Sequence, residues 1–385
     1  MSGVVVTGTG AVSAAGTGVA ETWAAMGEAR ACSRPVDEPA ERMPWRTFYP
    51  AAGYGEPTRT GHDGRARAFL AAAADEALRT AGHPTAAVDP RRVGVVLGTG
   101  MGASGEHEAR RVSGAVASGP VFGLAGALAD GLGAAGPAVS VTNACAAGAY
   151  AIAAAVDLLE SDECDVVLAA GAEGYSRVAL AAFNRMGAVD PVACRPFAAD
   201  RAGTAFGEGA GVLVLERSVD ARARGARVLA RVLGHGLSCD ADHPTAPDPD
   251  GAQAGRALRL ALERAGLGAG DVAAVVPHGT GTHHNDLVES QLLRRVLGGR
   301  VDEVPLYSLK ALVGHTGGAA GALGAVVGVE IARRRTLPGN VDVGALDPAC
   351  DVLLPRTAVP VGAGAVVVNA YAFGGNNASV VLAAA

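Results

Sequence analysis

The strongest constraint on the fold of this chain is that one order of helix and strand patterns occurs twice. Residues 65–84, RARAFLAAAADEALRTAGHP, place apolar side chains at helical spacing and lead into VGVVLGTGMG (93–102), a strand ending in a glycine turn. Residues 255–272, GRALRLALERAGLGAGDV, repeat the helix and lead into AAVVPHGTGT (273–282). A small-residue helix and another strand follow each unit. In the first half these are the stretch after Cys145 and CDVVLAAGAEG (164–174); in the second they are SLKALVGHTGGAAGALGAVVGVEIARRR (308–335) and GAVVVNAYAFGG (364–375). The strands GVVVTGTG and GVLVLERS (211–218) add further pieces, while 104–135 and 236–253 match neither half and read as loops or small excursions. Helices alternating with strands predict parallel sheet covered on both faces. Two such halves predict a duplicated α/β arrangement of five layers, α-β-α-β-α, divided as 1–218 and 219–385.

A core of that size needs apolar side chains, and 49% of the 385 residues are apolar against 18% charged, which excludes a disordered chain. Aromatic residues are only 4%, so helices can lie close on sheet. The net charge of −6 has no basic block behind it, and nothing resembles a nucleic-acid footprint. Six scattered cysteines without a CxxC pair argue for free thiols in a reducing cytoplasm and against a zinc site. No basic leader and no run of about 18 apolar residues is present, so no membrane span is expected.

VTNACAAGAYAIAAAVDLLE (141–160) places Cys145 between a β-prone run and an Ala-rich helix. A small buried cysteine is ordinary in a packed core. At a helix N-terminus, however, the dipole and unpaired N–H groups favour thiolate over thiol. The repetition gives Cys145 a counterpart, because His315 also stands at the start of a Gly/Ala-rich helix, in the other half. If the halves pack about a pseudo-twofold axis, the two helix starts face a common centre.

Other polar residues fall at strand ends. PHGTGTHHND (277–286) has His278 after a strand, SLKALVGH has Lys310 before a helix, and NAYAFGGNNAS (369–379) is a strand running into Gly374 and Gly375. Such positions are favoured for sites in α/β folds. Taken singly, each has a structural alternative: a bonded strand-end histidine, a helix residue, a solvated lysine, an ordinary turn. Together, one thiol and two histidines on matched elements fit an activated cysteine site. Acyl transfer alone needs one base. Two neutral imidazoles suit stabilisation of an enolate formed on a thioester by loss of CO2. Backbone N–H groups of Cys145 and of the 371–375 turn are candidate donors to a tetrahedral oxyanion.

With these motifs in this order, the chain resembles the β-ketoacyl-carrier-protein synthases of the thiolase-like superfamily, from VVVTGTGAVSAAG to FGGNNASVVL. The resemblance implies Cys145 as acyl acceptor, and His278 with His315 for malonyl decarboxylation. It implies Lys310 as organiser with Glu289 as its ionic partner, Glu208 as structural, and Phe373 as an acyl gate beside Gly374 and Gly375. It also implies substrates on the phosphopantetheine of an acyl carrier protein, no bound cofactor or metal, and a dimer paired through the sheet edge near the nucleophile helix. The second subunit is expected to be either an identical chain or a related chain-length subunit.

Departures concern the surroundings of these residues. Asn143 stands where Thr is usual, Ala202 and Thr204 where Asp and Phe are common, His283 and His284 in place of Pro-Leu, and Tyr371 and Ala372 in place of Phe-Gly. Residues 104–135 are shorter than in elongating enzymes. The leading expectation is a decarboxylating condensing enzyme of a specialised type II polyketide, polyene or related pathway. The alternatives are a non-decarboxylating acyltransferase on the same scaffold and a non-catalytic partner subunit.

Overall fold

The computed structural model describes residues 3–35, 47–57, 64–114 and 119–385. Among them, nine strands form one continuous sheet: β1 (Val4–Val12), β2 (Val93–Gly98), β3 (Ala138–Val141), β4 (Val166–Glu173), β5 (Gly209–Arg217), β6 (Ala230–Cys239), β7 (Val272–Val276), β8 (Ala365–Tyr371) and β9 (Asn376–Ala384). Their order is β3-β2-β4-β5-β1-β6-β9-β8-β7. The outer strands β3, β2 and β4 are parallel, as are β8 and β7, whereas the inner neighbours are antiparallel. Both ends of the sheet are thus parallel and its middle antiparallel, with one more parallel pair at the β3 end, and the halves join where Val4–Val6 of β1 pair with Ala230–Val232 of β6.

The helices that cover the sheet are α1 (Arg65–Ala81), α2 (Ala147–Glu160), α3 (Arg177–Arg185), α4 (Ala252–Ala265), α5 (His283–Leu297), α6 (Leu309–Val313) and α7 (Ala320–Arg334). Helix α1 packs on β1 and β5, and α4 packs on β6 and β9, forming the two outer layers. Between the half-sheets lie α2 and α7, in contact with each other and with strands of both halves. Because they are covered along most of their length, they are largely apolar, and Ala149, Ala151, Ile152, Ala153, Val326, Val327 and Val329 are buried.

Their close approach depends on glycine. A Cβ on Gly148 would lie 2.7 Å from the Ala322 backbone nitrogen and 2.8 Å from the Gly318 carbonyl oxygen, with no flexible side chain there to give way. Gly148→Ala is therefore expected to cost about 1–3 kcal/mol through overpacking. A urea midpoint equal to that of the wild type would contradict this.

The expected five-layer α/β architecture is present, with two corrections of detail. Residues 104–135 are not plain loop, since Ser104–Ser113 and Leu124–Leu132 are helical, while 115–118 lie outside the described residues. Residues 236–239 complete β6, because Gly236 and its neighbours pair with β9. Among the described residues no helix is long and apolar enough to cross a membrane.

Candidate active site

Strand β3 leads through Asn143 into a tight turn, Ala144–Ala146, which opens into α2. Ala144 has φ +48°, a left-handed conformation that a residue with a Cβ adopts only when its surroundings enforce it. The turn lifts Cys145 to the start of α2. Asn143 Nδ2 donates to Asn376 Oδ1 at 3.2 Å, which ties the nucleophile turn to the C-terminal glycine turn.

The second half supplies the partners. Pro277 carries the chain from β7 to His278. Lys310 lies in α6 rather than before a helix, and His315 precedes the short turn Gly317–Ala319 that opens α7. The pseudo-symmetric positions expected for Cys145 and His315 thus meet: His315 Nε2 is 3.0 Å from Cys145 Sγ. The His278 ring stands perpendicular to His315, with centroids 5.7 Å apart. Both rings are buried.

Lys310 Nζ donates to the His278 carbonyl oxygen and lies 3.5 Å from His278 Nδ1. An ammonium has no lone pair to offer, so Nδ1 must be the acceptor and the imidazole proton sits on Nε2. Glu289, buried in α5, makes no contact ion pair with Lys310. Its oxygens accept instead from the backbone N–H groups of His278 (2.8 Å) and Gly279 (2.7 Å) and from Asn369 Nδ2 (3.3 Å). It acts on Lys310 only through space, opposing the effect of burial, which lowers the lysine. The glycine turn has φ +85° at Gly374 and +77° at Gly375, values that favour glycine. Ala372 keeps an ordinary backbone and donates to Asn376 O. Gly374 and Gly375 donate to Pro244 O and Ala372 O, which leaves Phe373 N–H as the turn's donor for a ligand.

A cavity of about 380 Å³ opens over these groups, lined by Cys145, His278, His315, Tyr371, Phe373 and Thr280 among others. Thr204 lines it where an aromatic is common, and the exposed His283 and His284 stand at its rim at the start of α5. Sequence reasoning missed several residues here. Glu173, at the end of β4, accepts from Gly100, Met101 and Gly318 N–H groups and so clamps both halves beneath Cys145. Phe183 and Phe206 form an aromatic contact beside His315. A signal for Lys310 was in plain view, since among 32 Lys and Arg residues it is the only lysine. A compact ammonium fits a buried slot that a planar guanidinium fork does not. Lys310→Arg is therefore expected to lose most catalytic activity, by about tenfold or more, when product formation is followed by mass; full activity would show that any cation suffices.

Burial dominates the electrostatics. It holds both histidines well below their ordinary value, with the Lys310 charge adding to the effect, so both are neutral near pH 7. Burial also pushes Glu289 up to about 7 and raises Glu173. Cys145 is pushed up to about 12 by burial, against the pull of Lys310. The helix start does not by itself yield a thiolate, as the sequence suggests it would; the resting pair is a thiol against a neutral imidazole. Alkylation of Cys145 by iodoacetamide should accordingly rise about tenfold per pH unit from 7 to 9, read by peptide mass. A plateau near pH 7 would mean that a thiolate is already present.

Family models described as "Beta-ketoacyl synthase, N-terminal domain" and "Beta-ketoacyl synthase, C-terminal domain" match residues 56–221 and 229–343. A protein of Rhizobium meliloti (strain 1021) named 3-oxoacyl-[acyl-carrier-protein] synthase 2 is 35% identical over 99% of both chains. Among solved structures, the ishigamide ketosynthase/chain length factor superposes with a TM-score of 0.90 at 36% identity, over 100% of this chain and 99% of that one. A beta-ketoacyl synthase from Burkholderia phymatum STM815 gives 0.89 at 31% identity, covering 100% of each.

Proposed function

This chain belongs to the β-ketoacyl synthase family, and from that premise we propose that it condenses a Cys145-bound acyl group with malonyl-acyl carrier protein, with loss of CO2, in a specialised type II polyketide or related pathway. The observation that carries the proposal is the 3.0 Å approach of His315 Nε2 to Cys145 Sγ, with a second neutral imidazole, His278, across the same cavity.

In the first half-reaction Cys145 Sγ adds to the thioester carbonyl carbon of an acyl carrier, and its proton passes to His315 Nε2. The N–H groups of Cys145 and Phe373 receive the oxyanion. Collapse breaks the bond to the pantetheine sulfur, which leaves with the proton. In the second half-reaction the malonyl thioester oxygen accepts a hydrogen bond from His278 Nε2–H, and one from His315 after its single proton has exchanged through solvent from Nδ1 to Nε2. The bond to the carboxylate carbon breaks, CO2 leaves, and its electron pair forms the enolate. The enolate carbon attacks the Cys145 thioester; the C–S bond breaks, a β-ketoacyl carrier departs, and the Cys145 thiolate takes up a solvent proton to restore the resting thiol. Lys310 and Glu289 position His278, through its ring and its backbone respectively. Phe373 gates the cavity, with Gly374 and Gly375 giving the turn its freedom.

The same proposal includes a dimer. Strand β3 is the outer strand of its half and exposes Val139 (42%), so a second subunit there would cover an apolar edge. That subunit is an identical chain or a chain-length subunit, the second kind of pairing being the one for which the ishigamide ketosynthase/chain length factor is named. A cytoplasmic setting, the division at 218/219 and catalysis without a bound cofactor complete the reading.

The test is the intact mass of the carrier-bound product after incubation with a short acyl-carrier and malonyl-carrier. The expected product is a β-ketoacyl carrier two carbons longer. Acyl-Cys145 beside unchanged malonyl-carrier, even with a chain-length subunit added, would favour acyl transfer without decarboxylation.

A further inference from the structure

His315 is held in an unusual way. Its Nε2 meets Cys145 Sγ, but its buried Nδ1 has no hydrogen-bond partner among the described residues. Histidines with a chemical task are commonly oriented by a bond at the second nitrogen. Here something other than a bond at Nδ1 must fix the plane of the ring. That plane is matched by Phe206, whose ring lies 12° from parallel with centroids 5.8 Å apart. The two residues are also joined through the backbone. His315 N–H donates to Ala205 O (2.8 Å) and Gly207 N–H donates to His315 O (3.1 Å), a short parallel bridge that sets the register of one ring against the other.

The contact continues outward. The Phe183 ring meets Phe206 edge-on at 4.7 Å, and Phe373 stacks on Phe183 at 5.1 Å with planes 16° apart. His315, Phe183 and Phe373 line the cavity, whereas Phe206 stands behind it. The aromatic side chain common at position 204 is therefore absent from the cavity wall, and an aromatic two residues on supports the imidazole from the rear.

We propose that Phe206 is a positioning residue that orients His315 toward Cys145, and that Phe183 links its seat to that of Phe373. When an acyl chain displaces Phe373, the column loses its outer ring and the imidazole gains freedom. That freedom is useful, because the ring must turn from the cysteine thiol to the carbonyl of the second substrate. The role assigned to His315 after loading rests on the condensing reading; its orientation at the thiol does not.

The experiment is a double-mutant cycle read on the alkylation rate of Cys145 by iodoacetamide at fixed pH, which requires no turnover. Phe206→Leu is expected to change the rate by about fivefold or more, in the same direction as His315→Ala, and to change it no further when His315 is already alanine. Phe206→Tyr, which keeps the ring, should restore the wild-type rate and shows that the site still folds. Phe183→Leu should give a smaller change of the same sign. An equal effect of Phe206→Leu in both backgrounds would show a merely structural role and overturn the proposal, as would a wild-type rate in Phe206→Leu. Failure of the condensing reading would appear separately, as wild-type protein that makes no extended product while the cycle still reports coupling.

Discussion

Cys145→Ala will form no acyl-enzyme and will make no extended product, a loss of about 10⁴-fold or more relative to wild type. The other five cysteines give no substitute. Cys164, Cys194 and Cys350 are buried, and Cys32, which is half-buried, and Cys239, which is exposed, do not line the cavity. Replacement of the thiol by a methyl group should leave the fold intact, since Ala is at least as good at a helix start packed among Ala146, Ala147 and Gly148. Cys145→Gln puts an uncharged polar group where a loaded thioester would sit and is expected to retain malonyl decarboxylation, measured as CO2 release or as acetyl-carrier. An acylated Cys145→Ala protein, detected by intact mass, would show that the nucleophile lies elsewhere.

The second large effect separates the two histidines. Sequence reasoning treats them as a pair that serves malonyl decarboxylation. The geometry makes them unequal, because only His315 touches the thiol. His315→Ala should slow both acyl loading and decarboxylation, each by about 10²–10⁴-fold, the usual worth of a positioned proton-transfer group. His278→Ala should slow decarboxylation by a similar factor and leave loading within about threefold of wild type. Loading is read by a rapid-quench mass shift of the protein, and decarboxylation by CO2 release. Equal loss of loading in the two variants would refute this division. Loading, which uses His315 as base, should also hold from pH 8 down toward 6, because burial keeps that imidazole below its ordinary value. The sign follows from burial disfavouring the charged form: protonation, which would remove His315 as base, comes only well under pH 6.5.

The alternation of helix and strand, and its duplication, were legible because periodicity of apolar residues survives any tertiary arrangement. Helix α1 and strands β2, β4 and β8 fall where their patterns place them. So were Cys145, His278 and His315, as polar residues at strand and helix ends. Residues 104–135 read only as loops or small excursions because short Ala/Gly/Ser-rich segments have weak periodicity, and the helix Leu124–Leu132 takes its stability from packing on β2 and β3. Glu173, Phe183 and Phe206 escaped notice because each is an ordinary residue in its own stretch. Only the meeting of chain segments more than 100 residues apart, Gly318 over Glu173 and His315 over Phe206, gives them a task.

By itself, then, the sequence determined the layered α/β plan and the cast of candidate reacting groups, because these depend on local pattern and on intrinsic side-chain chemistry. The tertiary structure alone decided which histidine meets the thiol, that Glu289 holds backbone N–H groups in place of the lysine, and that the cysteine rests protonated. Distances and dielectric surroundings arise when distant segments are packed together and water is excluded, and no local spacing encodes them.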